Sequence, residues 1–277
     1  MGSREAGVPQ VLPRRDGVQG GRLHDGHSVR WRPLLPGFVC RFRAKPTCGR
    51  PDSRRLSVDR CTSTTQFFSR LYWVEAAPKN AASLRAHRQD YSSLQIDVRQ
   101  GDANVIVNDI LKMLPKTYPV LAFLDPEGSE LDWATIEKIA RHKQSKRYKI
   151  EQFILFPSDT GIIRFFPRDP SKLTYGDKLD RMLPSPAGWR ALYKLRDELT
   201  AAEFRRRLLN EYVSGLKALG YKHVPSPRLV CKPDGRPLYF MVFATDNEAG
   251  LKIMSAALEK VEATTLQTTF LPHAQRY

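Results

Sequence analysis

At 277 residues the chain is long enough for one large domain or two small ones, and 41% hydrophobic residues allow a full core. No run of about 18 apolar residues occurs, and the opening MGSREAGVPQVLPRRDG lacks the apolar stretch of a secretory leader, so a membrane-spanning helix is excluded and a cytoplasmic location is expected. The net charge of +16 favours polyanionic partners, and residues 1–60, with thirteen Lys and Arg against five Asp and Glu, carry half of it.

From Met1 to Gln66 the sequence is rich in Arg, Gly and Pro and shows no sustained helical or alternating period, as in RRDGVQGGRLHDGH and RFRAKPTCGRPDSRR. Residues 1–66 therefore read as a disordered or out-of-frame segment. Three of the four cysteines, Cys40, Cys48 and Cys61, lie there; with Cys231 they show no CxxC spacing and read as free thiols, with no metal site expected.

At Phe67 the character changes. RLYWVE (70–75) reads as a strand, followed by a helix with Pro78 in its first turn and Ala81, Leu84 and Arg88 at helical spacing. LQIDV (94–98) is a second strand. Behind it Val107, Ile110, Leu111 and Leu114 repeat at helical period, with Asp102 placed to cap them. YPVLAFLDPEG (118–128) holds an unbroken apolar run expected to be buried on both faces, and Asp132 precedes a helix carrying Trp133, Ile136, Ile139 and Ala140. EQFILFP (151–157) is the fourth strand.

Strands alternating with ten-residue helices imply right-handed crossovers and a mostly parallel sheet. Residues 176–220 then read as a helical insertion of two helices, with Trp189, Leu192, Tyr193 and Leu199 on one apolar face and Phe204, Leu208, Tyr212, Val213, Leu216 and Leu219 on the other. RLVCK and PLYFMVFAT flank the turn Pro233-Asp234-Gly235 as an antiparallel hairpin, and a last helix begins at NEAGLKIM. The α/β domain spans 67–262 and a tail 263–277. Parallel strands ending in a hairpin are the methyltransferase variant of the Rossmann-like fold.

Ligands of open α/β sheets sit outside the carboxyl ends of the strands, and three acids stand there. Glu75 can accept both ribose hydroxyls of a nucleoside cofactor, or serve as a helix N-terminal acid favoured by the macrodipole. Asp102 can accept from an adenine amine, or cap its helix. Asp125 opens the loop Asp-Pro-Glu-Gly off the most apolar strand, a place where polar loops are functional more often than not.

FFSRLYWVEAAPKNAASL, QGDAN, YPVLAFLDPEGSELDWATIEKIA, EQFILFPSDTGIIRFF and GYKHVPSPRL…RPLYFMVFATDNEAGLKIM, in that order over residues 67 to 260, resemble the three-Cys-motif partner proteins. Members of that family look like class I S-adenosylmethionine-dependent methyltransferases and are encoded beside three-Cys-motif phage-type proteins. The resemblance implies S-adenosylmethionine as cofactor, Glu75 on its ribose, Asp102 on its adenine, Asp125 with Pro126 facing the substrate, and a three-Cys-motif phage-type protein as partner.

Two departures stand beside it. The family's early strand and its Phe-Ala-Gly-Pro-Gly loop, which approach the methionine end of the cofactor, have no counterpart in residues 1–66, so the sheet is expected to lack its first strand and catalysis to be impaired. Amino-methylating relatives carry Asp-Pro-Pro followed by an aromatic residue, whereas Glu127 and Gly128 stand here, which argues against base methylation. The competing reading is a non-catalytic module that binds nucleic acid through Arg190, Lys194, Arg196, Arg205, Arg206 and Arg207 of the helical insertion.

Overall fold

The computed structural model describes residues 37–43, 68–88, 95–126, 128–143, 148–158, 162–232 and 234–270, with the backbone alone over 37–43, at 87 and over 260–270. All lie in the unit that runs from Trp31 to Tyr277. In chain order the elements are β1 (Gly37–Arg43), β2 (Phe68–Glu75), α1 (Pro78–His87), β3 (Gln95–Gln100), α2 (Ala103–Met113), β4 (Val120–Asp125), α3 (Trp133–Arg141) and β5 (Glu151–Pro157). Two single 3-10 turns follow, then α4 (Gly176–Met182), α5 (Pro186–Lys194), α6 (Ala201–Ala218), β6 (Arg228–Cys231), β7 (Pro237–Ala244) and α7 (Glu248–Phe270).

The seven strands form one sheet in the order β3-β2-β1-β4-β5-β7-β6. β1 to β5 are parallel, while β7 runs antiparallel to both β5 and β6. The order reverses beside β1, the topological switch point of a doubly wound sheet. This is the Rossmann-like methyltransferase arrangement with its C-terminal antiparallel hairpin, which turns through Gly235 at φ 81°, a left-handed conformation that glycine adopts without strain.

The expectation of a sheet without its first strand is corrected. Gly37–Arg43 lies between β2 and β4, paired in parallel with each, and fills the central place. A central strand satisfies backbone groups on both of its edges, so without it β2 and β4 would each present an unpaired row. The segment in which a glycine loop was sought, 44–67, lies outside the described residues, as does the tail 271–277.

The main core lies on one face of the sheet. Tyr72, Val74, Ala122, Leu124, Ile154 and Phe156 meet Val107 and Ile110 of α2, Ile136 and Ile139 of α3, and Phe204, Leu208, Tyr212 and Leu216 of α6. On the opposite face Leu71, Trp73 and Ile96 form a smaller cluster with Leu84 of α1 and Leu121. β4 is thus fully buried on one side only: Val120, Ala122 and Leu124 are buried, while Leu121, Phe123 and Asp125 are half-buried. The unbroken apolar run had predicted burial on both.

Residues 176–220 differ from expectation too. They hold three helices, and α6 belongs to the same core as the strands, with Tyr212 edge-on to Trp133 at 5.1 Å between centroids and 4.7 Å from Phe156. α6 is therefore a layer of the fold itself. Its start is fixed by a capping box in which the Glu203 backbone N–H donates to Thr200 Oγ1 (3.2 Å) and the Thr200 backbone N–H donates to Glu203 Oε2 (3.0 Å).

Candidate functional site

The parallel register sets one row of residues along the carboxyl edge: Gln100 on β3 opposite Glu75 on β2, Glu75 opposite Arg43 on β1, and Arg43 opposite Asp125 on β4. The sheet thereby brings two of the three predicted acids to the same level on either side of the switch point, two strand spacings, or roughly 10 Å, apart. Asp102 sits two residues beyond the end of β3.

Glu75 is 2% exposed, a depth at which a carboxylate needs compensation. The Ala77 backbone N–H donates to its Oε1 at 3.1 Å, and its own carbonyl accepts from Gly101 N–H at 3.0 Å, tying the β2 and β3 ends together. Gly101 allows that turn with φ at 144°; a Cβ there would stand 2.9 Å from Ile106 Cδ1. Asp102 is exposed, and its Oδ1 accepts from Asn104 N–H at 2.8 Å, so the capping role weighed from the sequence is present.

Asn104 is the site residue that the sequence reading missed. Its Nδ2 donates to Glu130 O (2.7 Å), while its Oδ1 accepts from Asp132 N–H (3.0 Å) and Thr135 Oγ1 (2.8 Å). One amide thus ties the turn that carries Asp102 to the loop that follows Asp125. The signal was available: Asn104, Val107 and Leu111 fall at i, i+3 and i+7, which puts an amide on an apolar stripe. Asp132 stands at the N-cap position of α3 without a side-chain cap bond, 3.9 Å from Arg181. Burial pushes its carboxyl above the usual range, against the nearby Arg181 charge.

Asp125 is half-buried, and Pro126 and Gly128 behind it are buried; Glu127 lies outside the described residues. A Cβ on Gly128 would meet Glu130 Oε1 at 3.3 Å and Oε2 at 3.4 Å, with Arg164 Nη2 at 3.7 Å, so the loop closes tightly over this position. On the next strand Ser158, 1% exposed, donates its backbone N–H to Leu238 O at 3.2 Å, while its Oγ has no hydrogen-bond partner among the described residues. Tyr239 of β7 completes this side. Burial, and secondly the Asp125 carboxylate, push its phenol above the ordinary value.

The expected basic face comes only partly together. Arg196 is 8% exposed, its guanidinium 5.0 Å over the Phe204 ring, so it is a core group rather than a surface one. Arg190 forms a two-point pair with Asp180, Nη2 to Oδ2 at 2.7 Å, and lies 4.4 Å over Trp189. Lys194, Arg206 and Arg207 are exposed. No helix among the described residues is long and apolar enough to cross a membrane.

No family model matches the sequence, and no curated protein matches it. Among solved structures, 76% of the chain is similar to 47% of the citrinin polyketide synthase CMeT domain, at 9% identity and a TM-score of 0.39. Similarly, 75% of the chain is similar to 50% of the trans-methyltransferase CalH in complex with SAH, at 14% identity and a TM-score of 0.35. The chain spans about half the length of each. The fold assignment rests on the order and direction of its own strands.

Proposed function

We propose that this chain is a methyltransferase-like protein that holds the nucleoside end of S-adenosylmethionine across the carboxyl ends of β2 and β3. The observation that carries the reading is the buried Glu75 carboxylate at the end of β2, beside the switch point of a sheet with this strand order. A buried acceptor there fits a ribose diol, which needs two hydrogen bonds accepted at one place, and Asp102 two residues past β3 fits an adenine amine. When bound, the cofactor would supply an electrophilic methyl group, and Asp125 with Pro126 would face the acceptor. The methionine end would fall to the segment after β1, where no glycine stands before Gly49. We therefore expect binding weaker than micromolar and slow catalysis.

The finer family reading, a three-Cys-motif partner protein acting with a three-Cys-motif phage-type protein, is supported by the ordered motifs between residues 67 and 260. Calorimetric titration with S-adenosylhomocysteine tests the cofactor assignment. Glu75→Gln and Asp102→Ala should each lose on the order of 1–3 kcal/mol of binding energy. No heat from the unaltered chain at millimolar ligand, or equal affinity in both variants, would sink it. The nucleic-acid alternative rests on exposed Lys194, Arg206 and Arg207; heparin retention unchanged in R206Q/R207Q would remove it.

A further inference from the structure

The loop after β4 lacks the aromatic residue that stacks on an acceptor in amino-methylating relatives, and the packing explains why it cannot hold one in place. Any side chain at position 128 would start 3.3 Å from Glu130 Oε1 and point into a buried loop. An aromatic group for the acceptor has to come from a different element.

The register shows which one. Leu124 pairs with Ile154, so the next rung carries Asp125 and Leu155, and Leu155 pairs with Met241 of β7. Paired residues share a face of the sheet, and the stacking of Phe123 on Phe153 at 5.5 Å fixes which face this is. Two residues along from Met241 on that same face is Tyr239, which pairs with Pro157 at the carboxyl end of β5. Asp125 and Tyr239 therefore occupy one face at the carboxyl edge, two strands across and two residues along from each other. By standard sheet dimensions their backbones stand roughly 12 Å apart. A carboxylate and a tyrosine on opposite sides of such a span can hold one flat group between them. Both are half-buried, so the space is reachable from solvent, and the Asp125 charge acts on the Tyr239 phenol, which makes the two side chains neighbours.

We infer that Asp125 and Tyr239 form the acceptor-recognition pair of this site, and that the acceptor is a planar amidine-like edge, an N–H group beside a lone-pair atom, as in an amino-substituted heterocycle. The Asp125 carboxylate accepts from the N–H, and the Tyr239 hydroxyl donates to the neighbouring lone pair. A tyrosine kept protonated by its surroundings suits the donor role, and an ionised carboxylate suits the acceptor role. The inference deepens the cofactor reading above and rests on it for the transfer itself. In that step the acceptor nitrogen lone pair attacks the methyl carbon and the carbon–sulfur pair returns to sulfur. S-adenosylhomocysteine is released, and the displaced proton passes from nitrogen to the Asp125 carboxylate. Tyr239 touches the acceptor and takes no proton.

The test uses the full chain and two probes, 1-methylcytosine, which presents the amidine edge, and its N4,N4-dimethyl analogue, which lacks the N–H. Binding is read by ligand-observed NMR, with saturating S-adenosylhomocysteine and without it. The expected result is that 1-methylcytosine binds and the dimethyl analogue does not. Tyr239→Phe, which keeps the ring and removes only the hydroxyl, should weaken 1-methylcytosine at least fivefold, as should Asp125→Asn, with S-adenosylhomocysteine affinity unchanged within twofold. Equal binding of both probes, or Tyr239→Phe behaving as the unaltered chain, overturns the pair while leaving the cofactor reading in place. If S-adenosylhomocysteine fails to bind but 1-methylcytosine binding still depends on Tyr239 and Asp125, the cofactor reading falls and the recognition pair stands.

Discussion

Asn104 makes three hydrogen bonds with one amide, and no other side chain of the right length supplies both donor and acceptor at those points. Asn104→Ala should lower the unfolding free energy by about 2 kcal/mol in urea melts, since the Glu130 carbonyl, the Asp132 N–H and the Thr135 hydroxyl all lose their partner. Asn104→Asp should be worse, because it removes the donor and adds a carboxylate between Asp102 and Asp132, whose charges already act on one another. A mild effect in both would show that water replaces the amide. The Asp125–Tyr239 neighbourhood makes its own residue-level statement. The Tyr239 phenol is held up by burial first and by Asp125 second, so Asp125→Asn should let it titrate at lower pH. Ultraviolet difference spectra of D125N against D125N/Y239F isolate that one phenol, and an unmoved titration would separate the two groups. Of this site the sequence showed the acids, because strand ends are visible as the close of apolar runs. It did not show Asn104, whose partners are set by loop closure, or Tyr239, which reaches the site only through a strand order that no local pattern encodes.

Among the elements, α6 shows how closely the helical layer fits. A Cβ on Gly215 would stand 2.5 Å from Pro184 Cβ and 2.9 Å from the Trp133 ring, so the helix approaches its neighbours through a position that has no side chain. Gly215→Ala gains intrinsic helix propensity yet should destabilise by about 1–3 kcal/mol, because overpacking outweighs the propensity gain. A rise in thermal midpoint in that variant would show that α6 can shift outward. The strands β2, β4 and β5 were legible because each is an uninterrupted apolar run bounded by turn residues, and α2 and α3 because their apolar positions recur at helical period over a capping acid. β1 was not. In GFVCRFR, arginines interrupt the apolar positions, and prolines and arginines flank a segment of only seven residues, so its character comes from being paired on both sides rather than from its own pattern. α4 was hidden for a related reason, since a seven-residue helix buries only Leu179 and Met182 and shows no full period.

For the molecule as a whole, two phenols set the alkaline limit. Tyr212 and Tyr221 are buried, and burial pushes both hydroxyls far above their ordinary value of 10.0. Tyr221 is further fixed by donating to Ile150 O at 2.6 Å and accepting from Gln152 Nε2 at 2.8 Å. A group whose folded value is raised contributes stability that is fully present below the unfolded value and is lost as pH rises through the folded one. Unfolding free energy measured in urea should therefore hold steady with respect to these groups up to about pH 10 and fall above it, and Tyr212→Phe should flatten that fall. An alkaline limb of equal slope in Y212F would place its origin elsewhere. The position of β7 carries a different consequence, one of timing. The last strand of the sheet to be synthesised is not an outer one: it slots between β5 and β6 and gives β5 its second partner. A nascent chain that has already assembled β1 to β5 keeps the β5 edge open while roughly 90 further residues are made, which at ordinary elongation rates is on the order of 4–18 s. During that interval the row Gln152 to Pro157, apolar at most positions, is a template for any passing strand. Ribosome stalling between β5 and β7 should accordingly be the condition under which this protein aggregates, and a chaperone that covers strand edges the factor that its expression yield responds to most.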